Sequence, residues 1–377
     1  MANTLTNLIP LAYEALDVVS REVTGFIGAV NLDSSADTIA KDQTIYSPVA
    51  PVNTTGNITP AMTVTAASDQ TIGTKSLVID NYKSSGFNWT GEEEFGVSSG
   101  GRLEAIMRDQ MAQCFRVHIN EIESALGLAA KNGASRAIGT TAGTAPVLAD
   151  FAGAQKILTD NGAPMTGRSV VIDTTAGVAL RGTSSLYKVN EAGDSGLLRN
   201  GVLGSLYGFD LRESAGISSA TAGTGASYTT TAAGFAVGTT SIPLITGTGT
   251  VLAGDIVTFA GDANKYVVAA GVSAPGTITL AAPGLRVAMS AATKAMTIFG
   301  TSARNIALSR NAITLATRLP KFQAGDQAAD RYVITDPVTG IAFEITMWPG
   351  QRMVKYEVSI AYGMSVIKPE HLAVIIG

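Results

Sequence analysis

The chain has 377 residues, 46% hydrophobic and 15% charged, with 41 glycines and 13 prolines. It is globular and turn-rich, long enough for two or three linked cores, and not a disordered polypeptide. A formal net charge of −4 supplies no bulk basic surface for gripping phosphate backbones, a single cysteine (Cys114) excludes an internal disulfide, and two histidines (His118, His371) are too few for an ordinary zinc site.

The N-terminus has neither a basic leader nor a sustained apolar core, and no later run is long enough to span a bilayer, so a reducing cytoplasm and no membrane are expected. Pro10 to Thr24 predicts a short amphipathic helix, with Pro10 in its first turn and Gly25 at its end. Ala12, Leu16, Val19 and Val23 fall on one stripe, and Glu14, Asp17 and Arg21 on the opposite one. A helix this short is unstable alone and must dock.

Residues 35 to 97 change character, with Thr38, Ile39, Thr44, Ile45, Thr71 and Ile72 recurring among Pro48, Pro51, Gly56, Pro60 and Gly73. This is β-propensity with strong punctuation and no helical period, which predicts a long twisted hairpin projecting from a body and needing a neighbour to cover its edges. Gly100 and Gly101 then precede the best helical pattern, about Arg102 to Asn132, with Leu103, Met107, Met111, Cys114, His118, Ile122, Leu126 and Ala129 on one face. At about 1.5 Å per residue such a rod is on the order of 45 Å long.

An α/β unit is expected next: a helix near Leu148 to Asp160, the strand "RSVVIDT" from Arg168, and a short helix near Thr175 to Gly182. "SATAGTGASYTTTAAG", Ser219 to Gly234, reads as a low-complexity polar linker. "SIPLI", "DIVTFA", "KYVVAA", "TITLAA" and "AMTIFG" follow as short strands between Gly-rich turns, the pattern of a small independent barrel or sandwich inserted in the chain. Helical signals resume over "TSARNIALSRNAITLATRLP", and from Arg331 the alternation of "RYVITD", "IAFEITMW" and "MVKYEVSIAYG" predicts antiparallel sheet. The last two strands are expected in that same sheet, with Lys368 to His371 as the turn between them.

Few residues carry chemistry. Gly193-Asp194-Ser195-Gly196 spells a tetrapeptide found around some serine protease nucleophiles, but a triad needs a histidine base, and His118 lies on the apolar face of the long helix while His371 lies in the terminal segment. It reads as a surface turn. Glu92, Glu93 and Glu94 could ligate a hard cation; no Asp-rich loop accompanies them, and acids equally suit a helix N-terminus. Gly247-Thr248-Gly249 lacks the third glycine of a dinucleotide fingerprint and reads as a hairpin turn, and no phosphate-binding P-loop sequence occurs. Cys114 and His118 share a helical face without further ligands, which is a packed interior. The Asn-x-Ser/Thr triplets at Asn53, Asn57 and Asn88 have no secretory route to make them meaningful.

Taken in order, the elements resemble the major capsid (coat) protein of tailed double-stranded DNA bacteriophages, closest to the short-tailed-phage coat family with an inserted β-domain. The N-terminal "ANTLTNLIPLAYEALDVVSREVTGFI", "GDIVTFAG" at 254 to 261 and "YGMSVIKPEHLAVI" at 362 to 375 carry the resemblance. It implies an α+β capsid fold: an N-arm (1–34), an extended loop (35–97), a peripheral domain with a spine helix (98–147 and 331–377), an axial domain (148–222 and 301–330) and an inserted β-barrel domain (223–300). It also implies a non-enzymatic protein with no cofactor that assembles with itself into hexamers and pentamers around double-stranded DNA, held without sequence-specific binding. A scaffolded precursor shell expanding on maturation, a portal protein at one vertex, a decoration protein, and a virion assembled in the bacterial host cytoplasm belong to the same expectation.

A shell places identical subunits in unequal surroundings, which calls for a stiff body with adjustable arms; Gly25, Gly28, Gly96, Gly100 and Gly101 sit where hinges are needed. Glu14, Asp17 and Arg21 are the candidate contacts to scaffold or neighbour. Some relatives of the wider fold crosslink an extended-loop lysine to an asparagine; Lys41, Lys75 and Lys83 are the lysines available, and no crosslink is expected. The rivals are an enzyme, disfavoured by scarce histidine, and a surface-layer or adhesin-like β protein, which has no use for the long helix.

Overall fold

Helix α1 (Ile9–Ser20) starts the part of the chain described by the computed structural model, which covers residues 9–20, 25–49, 60, 62, 72–98, 103–139, 141–183, 186, 204–217, 219–323 and 325–377. Strand β1 (Asn31–Ile39), the pair β2 (Gln43–Val49) and β3 (Gly73–Ile79), and β4 (Asn81–Thr90) follow. The chain then enters a short helix α2 (Gly91–Ser98) and the 31-residue helix α3 (Leu103–Gly133). Next come β5 (Arg136–Ile138), α4 (Leu148–Asp160), β6 (Arg168–Ile172), α5 (Thr174–Arg181), β7 (Ser205–Leu206) and β8 (Phe209–Glu213). Six short strands occupy the next stretch: β9 (Ala226–Thr230), β10 (Ser241–Thr248), β11 (Ile256–Phe259), β12 (Lys265–Ala270), β13 (Thr277–Leu280) and β14 (Met296–Ile298). The last six are β15 (Arg304–Ser309), β16 (Ile313–Pro320), β17 (Asp330–Thr335), β18 (Ala342–Gly350), β19 (Met353–Val366) and β20 (Leu372–Ile376).

One sheet runs β1-β16-β19-β18-β17, with β4 on the remaining edge of β19; β1 and β16 are parallel and the other pairs antiparallel. A second runs β7-β8-β6-β15-β20-β5-β12-β13-β10-β9, with β11 and β14 continuing from β12. The long helix is shared by both. Phe115 meets Phe343 of the first sheet edge-to-face, 5.2 Å between centroids and 67° between planes. In the same core Leu126 and Ala130 join Ile306, Leu308, Leu372, Val374 and Ile376 of the second sheet.

Pleating turns β15 and β20 into walls between two cores. Alternate side chains point to opposite faces, so Leu372, Val374 and Ile376 face α3 while Ala373 and Ile375 pack with Phe151, Ile157 and Leu158 under α4. A strand buried on both faces must be apolar throughout, which is why the chain finishes in "LAVII".

Three expectations need correction. Residues 301–320 are not helical: they form β15, a 3₁₀ turn at Arg310–Ala312, and β16. β15 pairs on one side with β6 and on the other with β20, so two ladders outweigh the helix preference of its Ala and Leu residues. The linker assigned to Ser219–Gly234 contains strand β9, with Tyr228 and Thr230 both pointing into a core. The two C-terminal strands part company, since β19 is central in the first sheet and β20 in the second, with the 3₁₀ turn Pro369–His371 carrying the crossing.

Strands β9 to β14 surround their own core of Tyr228, Ile242, Leu244, Phe259, Tyr266 and Ile278. Their sheet nearly closes, through the single bridge Thr229↔Ala295, and it stays continuous with the second sheet through β5 and β12.

Among the described residues the β2–β3 hairpin packs on the body at its base, where Leu77 and Ile79 meet Ile39, Ala316 and Ala361. There β3 crosses β19 so closely that a Cβ on Gly363 would clash with the Val78 carbonyl oxygen. Gly363→Ala is therefore expected to cost about 1–3 kcal/mol of unfolding free energy, as overpacking does, measured by denaturant titration; an unchanged midpoint would show that the crossing relaxes freely.

Candidate assembly surface

A buried carboxylate fixes the segment that leads into β1. Glu123, 3% exposed in the middle of α3, accepts the backbone N–H of Gly25 (2.6 Å), Phe26 (2.7 Å) and Ile27 (3.1 Å) and the Ser214 hydroxyl (2.7 Å). Successive backbone N–H groups aimed at one anion are a strong trap in a dry interior. Phe26 is buried, with its ring over Gly127, one helical turn beyond Glu123. A Cβ at Gly25 would come 2.6 Å from Val171, and one at Gly28 would strike the Arg212 guanidinium. Of the two glycines here expected as hinges, Gly25 is a position of close approach, while Gly28 is exposed beside the end of a flexible arginine.

Ala12, Ala15 and Leu16 bury α1 in the same core as α3. Exposed Glu14 lies 3.8 Å from Arg108 of α3, and a hydrogen bond that engages the Tyr13 phenol proton with Tyr332 of β17 pushes Tyr13 above its ordinary pKa. Asp17 is in α1, but its side chain and all of Arg21 lie outside the described residues, as do Gly100 and Gly101. Gly96 is in α2 with open space where a Cβ would point.

The acidic run Glu92, Glu93 and Glu94 forms the first turn of α2. Glu93 Oε2 accepts the Thr90 backbone N–H at 2.9 Å, and Thr90 Oγ1 accepts the Glu93 N–H at 3.3 Å, a reciprocal capping box that lowers the Glu93 pKa. The Thr90-x-x-Glu93 spacing is the local sequence signal that places this helix start.

Behind the hairpin, His118 joins three elements. Its Nε2 lies 3.0 Å from both the Ser85 hydroxyl of β4 and the Val358 carbonyl of β19, and its Nδ1 has no partner. The Ser85 hydroxyl also donates to the Cys114 carbonyl at 3.2 Å. Tyr82 donates to the Ile39 carbonyl, and Lys83 pairs with Glu121 at 2.8 Å. On the hairpin, Tyr46 (68%) and Ile72 (67%) are exposed, as are Lys41 and Lys75.

Among the described residues no cluster of three His, Cys, Asp or Glu side chains is placed to hold a metal ion, and no helix is long and apolar enough to cross a membrane. Gly193 to Gly196, Asn53 and Asn57 lie outside the described residues. His371 is 7% exposed within its turn, and burial lowers its pKa.

No family model matches the sequence, and no curated protein does. Solved structures do match in fold. The structure from Mycobacterium phage Che8 is 17% identical, with a TM-score of 0.51 over 93% of this chain and 90% of that one. The capsid structure of the cyanophage P-SCSP1u is 10% identical, also with a TM-score of 0.51, over 94% of this chain and 88% of that one. The chain has a mixed α+β fold of the phage capsid type.

In Glu123→Gln one acceptor oxygen becomes an amide NH2, so a buried backbone N–H that the carboxylate accepted meets a donor instead. Glu123→Gln is expected to lower unfolding free energy by roughly 3 kcal/mol and to speed limited proteolysis on the N-terminal side of Gly25; a wild-type cleavage pattern would show that the arm is held elsewhere. Burial lowers the His118 pKa from its ordinary 6.5, so the fold prefers the neutral ring while the unfolded chain takes up a proton. Stability is then full above about 6.5 and falls as pH drops below it. His118→Gln should flatten that fall in denaturant midpoints at pH 7.5 and 5.5, and His371, whose pKa burial also lowers, contributes to the slope left over.

Proposed function

We propose that this chain is the major capsid protein of a tailed double-stranded DNA phage, assembling as hexamers and pentamers into an icosahedral head in the virion. One observation carries the reading. The β2–β3 hairpin is a two-stranded ladder with Tyr46 and the adjoining Ile72 exposed, and among the described residues it packs on the body at its base. Such a hairpin is marginal by itself, and a second subunit supplies the missing cover. The capsid-type fold supports the same conclusion.

In this reading residues 1–34 are the N-arm and 35–97 the extended loop. Residues 98–147 with 331–377 form the peripheral domain, 148–222 with 301–330 the axial domain, and 223–300 the inserted β-domain. Glu14, Asp17 and Arg21 face the scaffolding protein or a neighbour, and Gly25, Gly28, Gly96, Gly100 and Gly101 let the arm and the loop adjust between unequal positions. The shell forms as a scaffolded precursor in the host cytoplasm, expands as DNA enters without sequence-specific contacts, and has a portal at one vertex; a decoration protein would sit outside. The chain acts without catalysis or cofactor, and its subunits remain uncrosslinked.

Electron microscopy of the purified protein, alone and with a candidate scaffolding protein, tests this: polyhedral shells or capsomer rings are expected, and a persistent monomer overturns it. In the same assay Glu14→Gln with Asp17→Asn should slow assembly of the precursor shell, whereas unchanged kinetics would remove α1 from the contact.

A further inference from the structure

Strand β4 and helix α3 are joined by three polar rungs. Lys83 pairs with Glu121 at 2.8 Å, Ser85 lies 3.0 Å from His118 Nε2, and the Trp89 indole N–H donates to Gln110 at 2.8 Å. The middle rung is buried at its helix end, where His118 is 2% exposed. The Ser85 hydroxyl gives its proton to the Cys114 carbonyl, and the other neighbour of Nε2 is the Val358 carbonyl. Both neighbours are therefore acceptors, so Nε2 carries the proton of the neutral ring and Nδ1 is the bare nitrogen. Nδ1 is buried without a hydrogen-bond partner.

A proton taken up at Nδ1 places a charge, and an N–H with no acceptor, in the interior. The charged groups near the ring do not offset that cost. Glu121 of α3 favours the charge and Lys83 of β4 opposes it, and the two are paired with each other. Glu121 is also engaged by Tyr362 of β19, β18 presents the Phe343 ring 6.4 Å away, and Cys114, one turn earlier on α3, is a thiol whose pKa burial raises. Loss of hydration outweighs the rest, and the folded state holds the ring neutral.

Acid therefore favours every state in which the ring is open to water, each by the same factor. The cheapest of those states is populated first. β4 is an edge strand paired with β19 alone, and it stands between the hairpin and α2, in which no described residue is buried. Strands β9–β14 take no part in the seam and have a core of their own.

We propose that His118 is an acid-sensitive catch on the β4–α3 seam: protonated at Nδ1, it releases β4 and the hairpin from the long helix while the rest of the body stays folded. The inference rests on the seam and is independent of whether the chain builds a shell.

Hydrogen exchange of the full chain, read by mass spectrometry at pH 7.5 and 5.5 and corrected for the intrinsic rate at each pH, tests this. Below the ordinary histidine value of 6.5 each unit of pH raises opening about tenfold while the native ring stays neutral, so protection over residues 81–90 and 110–122 should fall by about tenfold between the two conditions. Protection over β9–β14 should not change. His118→Gln should abolish the fall over 81–90, and His371→Gln, which leaves His118 as the only histidine, should keep it. An equal fall along the whole chain, no fall, or a fall that His118→Gln retains overturns the proposal. Should His118→Gln fail to fold, His371→Gln decides: persistence of the local fall supports the catch, and its loss overturns it.

Discussion

A carboxylate cannot stay charged in a protein interior unless something replaces the water it has lost, and around Glu123 that replacement organises the molecule. Its partners come from two remote stretches: three backbone N–H groups at residues 25–27 and the hydroxyl of Ser214 just past β8. One side chain therefore joins the long helix, the segment leading into β1 and the second sheet next to β8. The segment that follows, Phe26 to Val30, is buried apart from Gly28 and shares the core with α3. Because its acceptors and donors are matched, the anchor works without a cationic partner; a lone opposite charge would have to repay a larger desolvation cost.

From that anchor the mechanical logic follows. Helix α3 is a common wall for two sheets, and β15 and β20 are a common wall for two cores, so the body has several cross-braced planes. The hairpin contrasts with it. Its ladder touches the body through Leu77, Ile79 and the close crossing at Gly363, and beyond that point it carries exposed apolar side chains. A stiff centre with a projecting element that gains its cover from outside is a division of labour suited to parts that fit together many times over, where weak contacts are multiplied by closure.

Several elements were legible because their signals are local. The 3.6-residue period marked α3, and the buried Met111, Cys114, His118, Ile122 and Leu126 lie on the expected face. Period-2 alternation around the turn after Thr335 marked the β17–β18 hairpin, and Asp173 caps α5 with bonds to the N–H groups of Thr175 and Ala176. Others were hidden because their signals are not local. Over residues 301–320, Ala, Leu and Arg favour a helix in isolation, and only the flanking strands β6 and β20 make Ile306 and Leu308 strand residues. Glu123 reads as an ordinary helical acid, since its donors lie 91 to 98 residues away.

By itself the sequence determined which segments are apolar enough to be buried, the period of each, and the absence of an ordinary zinc or disulfide framework, because composition and spacing are properties of neighbouring residues. Only the tertiary structure decided that β19 and β20 belong to different sheets, that Gly25 is close-packed, and that the Glu123 carboxylate meets the backbone N–H groups of residues 25–27. Those outcomes depend on which strands become partners and which charges are brought together out of water, and both are set by contacts between residues far apart in the chain.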